Sequence, residues 1–451
     1  MGEPYRVERD TMGEMRVPAE ALYGAQTARA VENFLIGGPR FQRPFLRALG
    51  LVKSAAALVH GAEGRLPAEL ARAIGAAADQ VAGGAHDAQF VVDVFQTGSG
   101  TSTNMNANEV IGRLAGAHPN DHVNLGQSSN DVVPTAMHIA AAEEVERRLL
   151  PAMEALRDAL GRKEREFGDV VKIGRTHLQD AVPMRMGQEF SGWARQVEAA
   201  RERLCLALGG LYELPLGGTA VGTGLNAPPG FAAAVIAEIA RRTGLPFVEA
   251  RNHFEAQGAR DAACFLSGAL RSYAVALTKI ANDIRWLGSG PRCGIGELRL
   301  PAVQPGSSIM PGKVNPVIAE SVLMVCAQVV GHDAAIAWCA AAGNLELNAM
   351  MPVMAWDLLD AIALLAAATR NFAVRLVDGL EAGRARAEGF VEQSLAMVTA
   401  LVPEIGYERA AALAQEASRT GRTIREVARE QAGIPEETLR ELLDPGRQAG
   451  G

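Results

Sequence analysis

The sequence lacks the cysteine and histidine spacings that build metal sites and disulfide frameworks. Its five cysteines are far apart with no C-x-x-C pair, and its eight histidines form neither H-E-x-x-H nor a His-rich tract. These absences argue against a zinc site, a cysteine-ligated iron–sulfur cluster and a disulfide-stabilised fold. We therefore predict no metal and interpret the cysteines as small core residues: Cys205, Cys264, Cys293, Cys326 and Cys339.

Concentrated positive charge is also missing. The formal net charge of -7 is spread along the chain without a basic stripe or a polylysine tail, so we expect no nucleic-acid partner. The first 24 residues mix acidic with basic side chains around no apolar run, which argues against a secretory signal or a transit peptide. No apolar run of membrane-spanning length is free of charged residues. We expect a cytoplasmic protein without a membrane partner.

Strand-like alternation is almost absent, whereas apolar residues recur at helical spacing through most of the 451 residues. Several predicted helices are long and apolar over much of their circumference, so they must be buried on more than one face. We predict a mainly α fold in which a long central helical bundle, 128–384, is flanked by an N-terminal domain, 1–127, and a small C-terminal helical domain, 385–451. The predicted helices cover 45–60, 66–84, 104–116, 132–167, 184–209, 230–243, 258–288, 317–342, 352–379 and 385–399.

Three segments place hydroxyl and amide side chains just before a predicted helix start. They are "TGSGTSTNMNANEV" at 97–110, "HPNDHVNLGQSSNDVVPTAMH" at 118–138 and "GSSIMPGKVNP" at 306–316. Unpaired backbone N–H groups and the positive end of a helix dipole make such a position suitable for anions. Simple capping is the alternative for each segment, with Asn130 or Asp131 before Val132 and Asn315 before Pro316. Three such segments in one chain favour anion binding.

Two nucleotide-binding motifs are excluded or disfavoured by spacing. Gly306 and Gly312 are one residue too far apart for a Walker A loop, and Val314 occupies the position that needs Ser or Thr. Gly98 and Gly100 follow a possible strand, but no third glycine and no repeating strand–helix pattern follow. A dinucleotide-binding oxidoreductase is therefore disfavoured.

Three further residues are candidates for acid and base chemistry. His177 lies in the polar, turn-like stretch "KIGRTHLQDAVPMRMGQE", where it serves catalysis or is structural, and Glu320 is its candidate partner. Ser307 lies in a Gly- and Pro-rich segment suited to a mobile lid. Lys313 and free N–H groups of that segment could stabilise its alkoxide, and Lys313 with Asn315 could bind a carboxylate that gains a second charge.

Together, "GSSIMPGKVNP", "TGSGTSTNMNANEV", "HPND", "QSSND" and "GRTHLQD" make the chain resemble the fumarase/aspartase superfamily over about residues 5 to 445. The resemblance implies a homotetramer whose central helices form a common core, with each active site built from three subunits. It also implies reversible anti addition across, or elimination to, the double bond of fumarate, without a cofactor. The substrate partner is therefore expected to be a small dicarboxylate.

Within the superfamily, "GRTHLQD", "QSSND" and "GPRCGIGE" resemble class II fumarases, which interconvert fumarate and L-malate. Aspartases typically have glutamine in place of the histidine in the first motif and threonine in the second. The segment "AAGNLELNAMMPVM" mixes fumarase and aspartase features, so an aspartate ammonia-lyase is the alternative. A non-catalytic structural protein, as among lens crystallins, is a further alternative that the retained catalytic residue types disfavour.

The resemblance also assigns roles to residues. It makes Ser307 the base that removes the C3 proton of malate, with His177, supported by Glu320, acting on the water or leaving hydroxyl. A peripheral dicarboxylate site is implied at His118, Asn120 and Asp121, for which a capped turn is the alternative; the connection before this motif is shorter than usual. The residues implied to bind the substrate carboxylates are Ser99, Thr101, Ser128, Ser129, Asn130, Thr176, Lys313 and Asn315.

Overall fold

The structure is a computed structural model that describes residues 4–450. It is mainly α-helical, which confirms the predicted fold class. Within residues 4–450 the α-helices are α1 Ala25–Asn33, α2 Arg43–Ala62, α3 Ala68–Gly83, α4 Thr101–Ala115, α5 Ser129–Glu144, α6 Leu150–Glu166, α7 Met186–Leu211, α8 Phe231–Thr243, α9 His253–Gly258, α10 Asp261–Leu287, α11 Val317–Ala340, α12 Met351–Arg375, α13 Arg384–Gln393, α14 Val402–Ile405, α15 Tyr407–Thr420, α16 Ile424–Gln431, α17 Glu436–Leu442 and α18 Pro445–Gln448.

The strands are short and pair only two at a time in the described part of the chain. The pairs β1–β2, β3–β4, β8–β9 and β7–β10 are antiparallel, and β5–β6 is parallel. These strands are β1 Tyr5–Asp10, β2 Gly13–Pro18, β3 Val171–Thr176, β4 Gln179–Arg185, β5 Glu213–Leu214, β6 Val248–Glu249, β7 Leu298–Arg299, β8 Gly343–Asn344, β9 Leu347–Asn348 and β10 Glu381–Ala382.

The predicted helices agree with the observed ones to within a few residues at most ends. The prediction of one continuous helix over 132–167 is wrong in detail, because a π-helical segment, Val145–Leu149, separates α5 from α6. The prediction over 385–399 is also too long, since α13 ends at Gln393 and a 3-10 helix, Leu395–Leu401, follows. Helix periodicity in the sequence does not distinguish α-helix from these shorter or wider turns.

The chain forms two compact units. The first contains residues 4–151, 201–274 and 327–366. Its amino-terminal part is built on α2, which packs against α3, α5 and α8. Gly50 allows α2 and α3 to approach closely, because a Cβ atom there would lie 2.6 Å from the backbone nitrogen of Ala82. The three-domain division predicted from the sequence stays a prediction.

The second unit contains residues 152–200, 275–326 and 367–450. It includes the β3–β4 hairpin and the short helices from α13 onward. The apolar side chains of Val391, Leu401, Val427 and Leu439 are buried in one cluster of this unit. These helices are short because glycine and proline interrupt them, and a burial-driven cluster, rather than helix propensity, stabilises elements of this length.

Three helical segments are long and apolar enough to cross a membrane by length and composition alone: Arg43–Ala62, Val317–Ala340 and Met351–Gly379. The first and third are mostly buried inside the chain, whereas the second is only 39% buried. On α11 the side chains of Met324 and Trp338 are 69% and 77% exposed in the single chain. The absence of a membrane partner stays a prediction from the sequence.

One histidine of the first unit lies between two carboxylates. His332 on α11 is buried, with Nδ1 2.7 Å from Asp357 Oδ1 and Nε2 2.9 Å from Asp360 Oδ2 on α12. Burial disfavours the imidazolium, but hydrogen bonds and charge from both carboxylates outweigh it and raise the pKa of His332. Only the imidazolium can donate from both nitrogens, so the protonated form joins α11 to α12.

We predict that His332→Gln lowers the free energy of unfolding by about 3 kcal/mol at pH 6, as expected for a broken buried ion pair, and by less at pH 9. The raised folded-state pKa places the full stabilisation below about pH 6.5 and removes it as pH rises through the folded-state value. Urea unfolding at both pH values measures the effect. His60→Gln is the control, because burial lowers the pKa of His60 and its pH trend should be opposite. Equal losses for His332→Gln at both pH values would contradict the prediction.

Candidate active site

The amino terminus of α5 carries three of the predicted substrate-binding residues. Ser128 is the N-cap, and its hydroxyl accepts a hydrogen bond from Asn130 N at 3.2 Å. The carboxylate of Asp131 returns a capping-box contact by accepting from Ser128 N at 2.9 Å. The capping alternative, in which Asn130 or Asp131 precedes a helix beginning at Val132, is therefore wrong in detail, because the helix begins at Ser129 and Ser128 is its N-cap. Ser128 caps because its extended backbone lets its hydroxyl reach the first free N–H groups.

A short chain of hydroxyl groups joins α4 to α5 within the first unit. Ser99 Oγ lies 2.8 Å from Thr101 Oγ1, which lies 2.6 Å from Ser129 Oγ. Ser99 and Ser129 are buried. The structure thus brings together residues from two of the predicted anion-binding segments. Gly98, next to Ser99, allows the backbone of Ala349 to approach closely, because a Cβ atom at Gly98 would lie 1.8 Å from the carbonyl oxygen of Ala349.

Asp131 also fixes a neighbouring loop. Its Oδ2 accepts from the backbone nitrogens of Gly217 and Thr219 at 2.9 and 3.0 Å. Thr219 has a φ of 53°, a strained conformation for a β-branched residue. Asn130 Nδ2 donates to the carbonyl oxygen of Ala220 at 2.8 Å. This contact uses one of the two N–H donors of the amide and orients it.

A buried lysine supports the turn that precedes Ser128. Lys53 on α2 is fully buried, and its Nζ donates to Asn124 Oδ1 and Gln127 Oε1, both at 3.0 Å. Burial lowers the pKa of Lys53 to about 7 against the opposing charge of Asp131. Burial likewise raises the pKa of Asp131 to about 6, despite its three backbone hydrogen bonds. A buried amine and a buried carboxyl group, each with its pKa shifted toward the neutral form, therefore lie behind the α5 amino terminus.

The Ser307 loop belongs to the second unit and is closed at its base. Gly306 N donates to the carbonyl oxygen of Lys313 at 3.0 Å, and Asn315 Nδ2 donates back to Gly306 O. Ser307 Oγ accepts from the backbone nitrogens of Ile309 and Met310 at 3.3 and 2.9 Å. A cavity of about 480 Å³ is lined by residues of 302–314, including Ser307 and Lys313. The helix that follows begins at Val317, where the predicted range 317–342 also begins.

His177 occupies the tip of the β3–β4 hairpin, also in the second unit. Thr176 pairs with Gln179, so His177 and Leu178 form a two-residue turn. Their φ angles of 56° and 60° have the sign that a type I′ turn requires, although neither residue is glycine or asparagine. Thr176, His177 and Leu178 are all exposed in the single chain. The turn therefore presents the imidazole outward at the expense of backbone strain.

Within residues 4–450, the structure records no hydrogen bond or ion pair for the side chains of His177, Lys313 and Glu320. In particular, none joins His177 to Glu320 or to Ser307 in the single chain. Their predicted cooperation stays a prediction. Over the same residues there is no group of three or more His, Cys, Asp or Glu able to hold a metal ion.

The predicted peripheral site lies beside a cavity of about 570 Å³ in the first unit. His118 and Asn120 line this cavity together with Arg9 and Arg113. His118 Nδ1 accepts from Asp121 N at 3.1 Å, which makes His118 the cap of the Pro119–Val123 π-helical turn. This hydrogen bond is the one expected from the alternative interpretation, in which the segment is a capped turn. Dicarboxylate binding here stays a prediction.

Sequence reasoning missed the buried supports of the site. Lys53 sits within the apolar run of α2, and its only sequence signal is a charge among alanines and leucines. For Asp131 the sequence indicates only the capping alternative, whereas its contact with the loop at Gly217 joins residues 86 positions apart. Glu297 had no role from the sequence, yet it is fully buried.

We predict that Asp131→Asn lowers the free energy of unfolding by about 1–3 kcal/mol, because an amide cannot accept from all three backbone N–H groups. Urea unfolding measures the change. Glu426→Gln is a matched control, since Glu426 holds the same capping-box position in α16 but is exposed. We expect less than about 0.5 kcal/mol there. Similar losses in both variants would contradict the buried role of Asp131.

Two family models and several known proteins match this chain. A family model described as "Lyase" matches residues 13–331, and one described as "Fumarase C C-terminus" matches residues 397–447. The class II fumarate hydratase of Mycobacterium tuberculosis (strain ATCC 25618 / H37Rv) is 54% identical over 446 residues, covering 98% of this chain and 94% of that protein. The class II fumarate hydratase of Neisseria meningitidis is 51% identical over 452 residues, with 98% of each covered.

Solved structures are similarly close. The crystal structure of recombinant class II fumarase from Schistosoma mansoni has a TM-score of 0.97 at 41% identity and covers 99% of both chains. That of a fumarate lyase:delta crystallin from Brucella melitensis bound to cobalt has a TM-score of 0.95 at 45% identity, covering 99% of this chain and 100% of that one. Sequence similarity over nearly the whole length and the same fold lead to one conclusion: this chain belongs to the class II fumarate hydratase family of lyases.

Proposed function

We propose that this chain catalyses the reversible anti addition of water to fumarate, giving L-malate, through an aci-carboxylate intermediate. Family membership supports the reaction, and the Ser307 loop supports the mechanism. The N–H groups of Ile309 and Met310 both donate to Ser307 Oγ. Two donors aimed at one oxygen favour its alkoxide, and that makes an ordinarily weak hydroxyl usable as a base.

In the direction of fumarate, the Ser307 alkoxide takes the C3 proton of malate. The bond electrons move into the adjacent carboxylate, which becomes doubly charged. His177, supported by Glu320, supplies the proton with which the C2 hydroxyl leaves as water, and the electrons return to form the double bond. Hydration follows the same steps in reverse.

The substrate carboxylates bind where the chain offers hydroxyl and amide side chains whose hydrogen bonds involve no carboxylate. Ser99 and Thr101 at the start of α4, with Ser128, Ser129 and Asn130 at the start of α5, form one such group. Hydroxyls and N–H groups at helix amino termini favour negative charge. The remaining contacts come from Thr176, Lys313 and Asn315.

We further propose a homotetramer with active sites shared by three subunits. Support comes from α11, whose apolar side chains at Met324 and Trp338 stay exposed in the single chain. The exposed His177 turn, which has no partner for its imidazole within residues 4–450, is consistent with completion of the site by another protomer. Cytoplasmic localisation and dicarboxylate binding at the peripheral site are further proposals that rest on the sequence.

We predict that Ser307→Ala and His177→Asn each lower kcat by at least about 100-fold while the protein stays folded, because each removes a proton-transfer group. Fumarate absorbance measures turnover. Ser308→Ala and His86→Asn are matched controls, since Ser308 is exposed, His86 is half-buried, and neither has an assigned role. Near-normal activity in either test variant would remove that residue from the mechanism.

Mixing the two inactive variants tests the shared site. If Ser307 and His177 of one site come from different protomers, coexpression of Ser307→Ala with His177→Asn assembles some sites that have both groups. Random assortment gives about a quarter of the wild-type number. Size-exclusion chromatography with light scattering should show about four times the chain mass of 47.6 kDa. A mixture as inactive as its parents would contradict sharing of these two residues.

The substrate test separates the two lyase activities. Purified protein is given L-malate in one cuvette and L-aspartate in another, and absorbance of the conjugated double bond is followed. We expect absorbance to rise with malate and to stay flat with aspartate. A rise only with aspartate would replace the hydratase by an ammonia-lyase, and no rise with either would favour a structural protein.

A further inference from the structure

A fully buried carboxylate lies beneath the hairpin that presents His177. Glu297 has no exposed surface, and its two oxygens accept from Arg175 Nη1 and Nη2, both at 2.9 Å. This two-point contact fixes both the distance and the rotation of the guanidinium. Arg175 is on β3, two residues before His177.

A second cation strengthens this contact from within the hairpin. Lys172 is also buried, and its Nζ lies 3.4 Å from Glu297 Oε2 and 3.3 Å from Glu189 Oε2. Burial raises the pKa of Glu189, against the charge and hydrogen bond of Lys172. Two positive charges on β3 therefore converge on Glu297. Burying this charge is tolerable only because both cations neutralise it.

The His177 turn requires such support. His177 and Leu178 both have positive φ angles, and a strained turn persists only where its surroundings determine it. The β3–β4 register shifts after Ile173, where β4 has one more residue than β3. Bulges of this kind redirect side chains but weaken local pairing. The tip itself is exposed, so the last fixed contact before the turn is that of Arg175 with Glu297.

The segment that carries Glu297 also leads to the Ser307 loop. Gly383 N donates to Glu297 O at 2.8 Å, and the next two residues form β7, paired with β10. Arg386 donates to the carbonyl oxygens of Gly294 and Ile295 at 2.8 and 3.1 Å. The backbone around Glu297 is therefore anchored on α13 and β10, which makes Glu297 a fixed point for the hairpin.

We infer that Glu297 is a positioning residue for the hydration reaction: through Arg175 it fixes the strained turn that presents His177. It does not touch the substrate. This inference rests on the proposed function of His177. A small displacement of an acid/base group lowers the chemical rate far more than it changes binding, because Thr176 is the single assigned substrate contact on this hairpin and the other assigned contacts lie on other segments.

The test uses Glu297→Gln and Arg175→Lys in the full-length chain, each alone and combined with His177→Asn. Arg175→Lys keeps the charge but loses the two-point contact, so it decides the case if Glu297→Gln fails to fold. We expect kcat to fall roughly 10–100-fold with KM changed less than about threefold. If Glu297 acts through His177, adding Glu297→Gln or Arg175→Lys to His177→Asn lowers kcat by less than about threefold more.

Glu392→Gln is the matched control, because Glu392 also makes a paired contact with an arginine, Arg425, in the same unit. Its kcat should stay within about twofold of wild type. A folded Arg175→Lys variant with wild-type kcat would overturn the inference, as would losses that simply multiply in the His177→Asn background. If His177→Asn alone leaves kcat unchanged, the proposed function of His177 fails instead, so the two failures are distinguishable.

Discussion

Each predicted substrate-binding segment contains a turn, and a turn keeps its geometry only where its backbone N–H groups have acceptors. Asp131 accepts from one N–H of such a segment, at Ser128, and from two of a neighbouring loop, at Gly217 and Thr219. Ser307 Oγ supplies an acceptor for Ile309 and Met310. In the first case the acceptor holds the site in shape. In the Ser307 loop, the hydrogen bonds that satisfy the backbone N–H groups also favour the alkoxide of Ser307. The same contacts therefore hold the turn and activate the proposed base.

The groups that hold these turns are ionisable and buried, and their burial costs free energy. Lys53, Asp131 and Glu297 are all buried behind polar segments rather than exposed among them. Each is surrounded by donors or acceptors suited to its charge, which limits the desolvation penalty. A hydrophobic residue in their place would pack more easily but could not orient a turn. These three residues therefore lower the stability that a hydrophobic residue would provide, but they define the geometry of the turns.

The long helices explain why such turns can be rigid at all. Side chains such as Phe45 and Leu49 on α2 are fully buried, and His332 ties α11 to α12 through two carboxylates. A packed helical frame gives the buried acceptors fixed positions, so the loops that they contact are positioned as well. The high similarity to solved class II fumarase structures extends over this frame and the loops alike. The similarity therefore includes both the long helices and the loops that carry the predicted site residues.

The sequence by itself determined the helical class, most helix positions and the family, because period-3.6 patterning and short motifs are local properties of the chain. It also indicated Ser307, His177 and the helix starts as chemically suitable. Tertiary structure alone decided which groups support them: Asp131 reaches the Gly217–Ala220 loop, Lys53 reaches Asn124, and Glu297 reaches Arg175 across 122 residues. Such contacts follow from how helices and loops pack, and packing between distant segments leaves no periodic signal in either one.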